Sequence, residues 1–108
     1  MPEEKSQYEK ILKRQARRLA NFTECKLNQA QRTIAIDFYG YKSLKDLKLS
    51  LENGLATTDT TKLLEFDKSS ECLISLQRSW ERINTAFDEV DYLTGFDRSD
   101  IIACILNV

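Results

Sequence analysis

Only three glycines and one proline punctuate these 108 residues, and the glycines, at 40, 54 and 95, each close an apolar stretch of helical period. A chain this poor in breakers, with no convincing period-2 alternation, has little with which to build turns between strands. The expectation is an all-α fold, a compact bundle of five or six helices with short loops. One domain, residues 1–108, is the natural unit at this length, because two would each be too small to hold a core. Pro2 is expected to lie ahead of any element.

The best pattern is an a/d seam. Leu73, Leu76, Trp80, Ile83, Phe87 and Val90 recur at spacings of 3, 4, 3, 4 and 3, which predicts a long heptad-like helix over 70–94. Gly95 is expected to stop it, with Phe96 folded back on Val90. Its start is open between Ser69–Ser70 and a point near residue 60, because no true breaker lies between. Residues 3–24 read as a basic amphipathic helix. Tyr8, Ile11, Leu12, Leu19 and Phe22 fall on one side, opposite Lys10, Lys13, Arg14 and Arg17, and Glu3, Glu4 and Glu9 in the early turns suit the helix dipole.

A helical hairpin is predicted over 28–53, with helices at 29–39 and 43–53. Asn28 is placed as N-cap with Gln31 in the capping-box position, and Ala30, Ile34 and Phe38 form the inward stripe. Gly40 is expected to make a Schellman stop in which Tyr41 packs on Ile36. Ser43 starts the next helix, whose apolar edge is Leu44, Leu47 and Leu51, and Asn53-Gly54 closes it. Asp59 is expected to cap a short helix over 60–67, and Asp97 or Asp100 to open a last one over 98–106 that carries Ile101, Ile102, Ile105 and Leu106.

Several function classes recede at once. Histidine is absent, which removes the commonest general base, the commonest zinc ligand and every His-based triad. Cys25, Cys72 and Cys104 are odd in number and far apart, and read as small core residues in a reducing compartment rather than a metal site or disulfide frame. There is no Gly-rich phosphate loop. Asp88, Glu89, Asp91, Asp97 and Asp100 lack the alternating ligands and central glycine of a calcium loop. Neither a membrane span nor a secretory signal is visible, so a cytoplasmic, non-enzymatic protein without cofactor or metal is expected. The tyrosines Tyr8, Tyr39, Tyr41 and Tyr92 could stack on bases, but at helix edges they read first as packing with a wet hydroxyl.

The charge balance is informative by its distribution. Residues 1–50 carry eleven Lys/Arg against six Asp/Glu, a net of +5, and residues 51–108 carry five against eleven, a net of −6, which together give the −1 of the whole chain. The halves either attract each other across the fold or are solvated faces. Alternatively, Lys10, Lys13, Arg14, Arg17 and Arg18 form a basic surface for phosphate or an acidic partner.

Within the hairpin, Leu27-Asn-Gln-Ala-Gln31, Ile34-Ala35 and Gly40-Tyr41-Lys42-Ser43-Leu44-Lys45-Asp46-Leu47 resemble a short Gly-Tyr-x-Ser helical module of small bacterial proteins, some carried on plasmids or phages. The module usually has an aromatic where Leu44 stands. The resemblance implies a bacterial or mobile-element origin and a compact hairpin, and it carries no activity with it.

Two functions follow from the residues. The leading one is a small interaction or regulatory protein that binds another macromolecule, a partner protein or a second copy of itself, through helical surfaces anchored on Trp80, Ile83 and Phe87. The alternative is a nucleic-acid-binding regulator. It would use the helix-turn-helix-like 28–53 segment with Lys42, Lys45 and Lys48, together with the helix-one cations.

Overall fold

A computed structural model describes the backbone of residues 2–108 and the side chains from residue 7 onward. It is an all-α bundle of six helices: α1 (Pro2–Thr23), α2 (Leu27–Arg32), α3 (Leu44–Glu52), α4 (Thr58–Leu64), α5 (Ser70–Asp88) and α6 (Arg98–Leu106). A π-helical segment, Thr33–Phe38, continues α2, and a 3-10 turn, Asp91–Leu93, follows α5. There is no strand among the described residues. Pro2 begins α1 rather than preceding it, in the first helical turn where a missing N–H costs nothing. The side chains of Glu3 and Glu4 lie outside the described residues.

The apolar face of α1 is the floor of the core. Leu12, Ala16, Leu19 and Ala20 are buried on it, with Gln15 among them. A buried amide must be paired, and Gln15 is: its Oε1 accepts from the Tyr39 hydroxyl at 2.7 Å and its Nε2 donates to the Leu63 carbonyl at 3.4 Å. One polar side chain thus ties α1 to the end of the π segment and to α4. The other tyrosine hydroxyls are engaged as well: Tyr8 with Glu65, Tyr41 with Thr60, and Tyr92 with Thr33. Burial pushes the Tyr92 phenol up to about 12. All four hydroxyls are thus tied into the fold.

The hairpin forms, with a changed start. Lys26, not Asn28, is the N-cap, and Gln29 rather than Gln31 reaches back to accept from the Lys26 N–H at 3.3 Å. The expected stripe is buried as read: Ala30, Ile34 and Phe38. After Arg32 the helix widens, with Tyr39 N–H bonding to the Ile34 carbonyl five residues back. The widening carries into the stop. Tyr41 N–H reaches the Ala35 carbonyl at 3.0 Å, one residue further back than a Schellman turn would take it. Gly40 sits at φ +80°, the left-handed conformation that glycine alone adopts without strain. Ser43 caps α3 as expected, its Oγ accepting from Asp46 N–H at 3.1 Å.

The acidic half departs more from its reading. Thr57, not Asp59, caps α4, accepting from Thr60 N–H at 3.2 Å. The break before α5 that the sequence left open is real. Lys68 takes φ +65° and Asp67 Oδ1 accepts from Ser69 N–H at 2.9 Å, while Ser69 caps α5. These bonds to the ionised form, above all that from the Ser69 N–H, hold the Asp67 carboxyl at about 2. Its folded pKa lies below the ordinary carboxylate value, so its contribution to stability is present above about pH 4 and is lost as pH falls toward 2. A carboxyl titration by NMR is expected to place Asp67 at or below pH 2.5; a midpoint near 3.9 would mean that the turn is not closed by this residue.

Helix α5 ends at Asp88, six residues before the expected stop at 94. Arg98 explains the early end. Its Nη1 donates to the Asn84 carbonyl and to Asn84 Oδ1, and its Nη2 donates to Asp88 Oδ1 at 2.8 Å. Val90 is consequently extended and outside the helix, and the 3-10 turn brings Leu93 into the core. The Phe96 ring meets that of Phe22 at 5.3 Å between centroids.

Candidate functional site

Of the three residues expected to anchor a partner, two are core. Ile83 is 0 % exposed and Phe87 1 %, so neither can meet another molecule while the domain is folded. Trp80 is half-buried, and toward the N-terminus of α5 the seam emerges: Leu73 is 50 % exposed and the neighbouring Ile74 51 %. The reason is helical geometry. A strict seven-residue repeat drifts by about 20° per heptad on a straight helix, so a seam buried at Phe87 has turned by about 40° at Leu73. What faces inward there is small, namely Cys72, Ser75 and Ser79. Ser75 Oγ donates to Asp59 Oδ1 at 2.9 Å, Arg78 donates to the same oxygen at 2.8 Å, and the Cys72 thiol donates to the Lys62 carbonyl at 3.4 Å. Helix α4 is thereby held close against α5, and Leu73 and Ile74 are turned outward. Leu73, with Leu76 and Trp80, which pack in part against the core, and with Gln77 and Glu81, lines a shallow open groove of about 410 Å³ along α5 itself.

Helix α6 does not cover this groove. Its Ile101, Ile102, Ile105 and Leu106 are buried, and the helix is seated on α1. Arg18 Nε donates to the Cys104 carbonyl at 3.0 Å and Nη2 to the Ile105 carbonyl at 2.6 Å. The Cys104 thiol donates back to the Arg18 carbonyl at 3.3 Å, and burial pushes that thiol up. Arg18 is therefore part of the fold rather than of a free basic face.

Arg18 is one of three arginines with the same role, which the sequence reading missed. Arg82 Nη2 donates to the Phe38 carbonyl at 2.8 Å and Nη1 to Asp37 at 3.4 Å, closing the π segment, and Arg98 closes α5. A guanidinium at a helix C-terminus satisfies orphan carbonyls and suits the dipole. Arg98 also lies 5.6 Å above the Phe87 ring.

The remaining cations stay outside. Lys10, Lys13, Arg14 and Arg17 are exposed along one face of α1, as are Lys42 and Lys45 beside and on α3; Lys48 is half-buried. Lys13 and Lys48 line one crevice between α1, α2 and α3, together with Glu9, Leu12, Gln31, Ile34 and Leu44, so one cation of each set meets there. Among the described residues the ion pairs are Lys62–Glu71, Arg78–Asp59 and Arg98–Asp88, each at 2.8 Å. All belong to the acidic half. Among the described residues none joins the halves.

A crevice of about 500 Å³ lies at the α4–α5 turn between Lys62, Glu65, Asp67, Ser69, Ser70, Glu71 and Cys72. Its charges answer one another, Lys62 with Glu71 and Asp67 with Ser69. Among the described residues no group of three or more Cys, Asp or Glu converges in a way that could hold a metal ion, and no helix is long and apolar enough to cross a membrane. Comparison with protein-family models, curated proteins and solved structures finds no match to the chain.

Proposed function

We propose that the protein is a small non-enzymatic interaction module that binds another protein through the outward edge of α5, with Leu73, Leu76 and Trp80 as the contact surface. One observation carries this reading: α5 buries Ser75 and Ser79 while leaving Leu73 and Ile74 half in water. Scattered exposed leucines mean little, but large apolar side chains exposed near a half-buried tryptophan, with small polar residues facing inward on the same helix, invert the usual arrangement. Consistency is normally lost where function requires it.

The groove also states what suits it. Its walls are Leu73, Leu76 and Trp80, its polar edge carries Glu81, and the half of the chain around it has a net charge of −6. The fitting occupant is an amphipathic helical segment of a partner, with apolar anchors at helical spacing and Lys or Arg beside them. The test is a photo-crosslinking amino acid at position 73, compared with one at the 74 %-exposed Leu55, in cells that make the protein. A discrete adduct is expected from position 73 alone, joined to a basic amphipathic segment of one partner and lost on Trp80→Asp. Equal adducts from both positions, or an adduct only with a second copy of the chain, would overturn the reading.

A further inference from the structure

We infer that the face made by α1 and the start of α3 is a second, independent binding site, one that takes the phosphodiester backbone of a nucleic acid without reading its sequence. Three observations converge on it. From Lys10 to Thr23 the chain carries five cations and no carboxylate, and four of them, Lys10, Lys13, Arg14 and Arg17, are exposed on the face opposite buried Leu12, Ala16 and Leu19. The crevice shared by Lys13 and Lys48 brings α3 against that row, and Lys42 and Lys45 are exposed beside and on the same helix. Among the described residues, none of these seven cations has an ion-pair partner, although the acidic half pairs its own. Leaving seven like charges unpaired on one side of a small domain costs stability through repulsion, a cost that an external polyanion relieves. Of the carboxylates near this surface, Glu9 stands in the crevice wall and Asp46 lies in the first turn of α3.

The dimensions and chemistry select the ligand. Lys10 to Arg17 spans about 10 Å of helix axis, a few phosphates of one strand at about 3.4 Å of rise each. Arg14 and Arg17 offer the planar fork that matches a phosphate, and the lysines add point charges. Reading of bases is not provided for. On α3 the exposed positions are Lys45, Leu49 and Glu52, and no Arg, Asn or Gln occupies the helix to pair bidentately with a base edge. A lipid surface is the poorer fit, because the apolar face that α1 would insert is already occupied by the core.

The experiment is fluorescence anisotropy of labelled duplexes of about 25 base pairs, DNA and RNA in separate arms, between about 50 and 200 mM salt. Phosphatidylserine vesicles and polyglutamate serve as competitors. Five phosphate contacts give a slope of log K against log salt of about −4.5, and so roughly a 500-fold loss across that range. The triple variant Lys13→Gln, Arg14→Gln, Arg17→Gln is expected to flatten the slope by about three units, equally for every sequence tested. Circular dichroism checks that it stays folded. Either duplex binding with this behaviour supports the site, and the arm that binds more tightly identifies the nucleic acid. No binding at the lowest salt, a slope untouched by the variant, or displacement by vesicles or polyglutamate as effective as by duplex would overturn it. Leu73 and Trp80 lie outside these variants, so the α5 reading stands or falls separately.

Discussion

Replacing Phe87 by Ala is expected to lower the unfolding free energy by about 3–5 kcal/mol, which is a large share of what a domain of this size has. The ring is 1 % exposed and lies 6.4 Å from that of Phe38, so its loss opens a cavity where α5 meets the π segment. It also removes the surface over which the Arg98 guanidinium lies, and with it the support of the bonds that end α5. Leu73, fourteen residues earlier on the same seam, is half exposed. Its change to Ala is expected to cost about 1 kcal/mol or less. The measurement is urea unfolding followed by circular dichroism on both variants. The contrast between them is what matters: one heptad pattern, two opposite roles. Similar losses at the two positions would mean that the N-terminal edge of α5 is core after all, and the docking surface proposed for it would disappear.

The same contrast marks how far the sequence could be read. Local signals served well wherever the structure depends on neighbours along the chain. The period of α1, the Ser43 cap of α3 and the left-handed glycine after the π segment are all set by residues within a few positions of one another. The start of α5 was open for an equally local reason. No glycine or proline marks the break, and it is made instead by Lys68 in the left-handed region and by the Asp67 carboxylate.

What failed was long-range. A seam of 3, 4, 3, 4, 3 spacing says which residues share a stripe but not which part of the stripe is covered; that depends on α4 being drawn in by Asp59 through Ser75 and Arg78. The early end of α5 depends on Arg98, ten residues after the last residue of that helix. Two of the three arginine caps join positions more than forty residues apart, and nothing in composition or periodicity distinguishes Arg18 and Arg82 from the solvated cations beside them. Of the candidate site, the basic residues were legible because exposure of charge is the default. The seam through Trp80 was legible too, but not that Ile83 and Phe87 on it are buried while Leu73 is half exposed.

The arginine at the end of the π segment leads to the second large effect. Gly40→Ala is expected to cost more than a left-handed alanine alone, which is about 1–2 kcal/mol. A Cβ at Gly40 would stand 2.9 Å from Arg82 Nη1 and 3.3 Å from its Cζ, so the guanidinium must shift, and the expectation is that the shift costs it the Asp37 and Phe38 carbonyls that it now bonds. Charge-assisted bonds of this kind are worth about 1.5–3 kcal/mol, so the single substitution is expected to cost about 3–4 kcal/mol in all. Arg82→Ala loses the same bonds directly and, with no guanidinium left to displace, leaves only the backbone strain for a following Gly40→Ala to exact. The two substitutions should therefore be strongly non-additive, the double variant being more stable than the sum of the single losses implies by about 1–3 kcal/mol. A double-mutant cycle in urea measures this. Simple additivity would mean that the arginine swings aside without loss, and that the widened turn at Thr33–Phe38 is held by the core residues Ile34, Ala35 and Phe38 without help from outside its own helix.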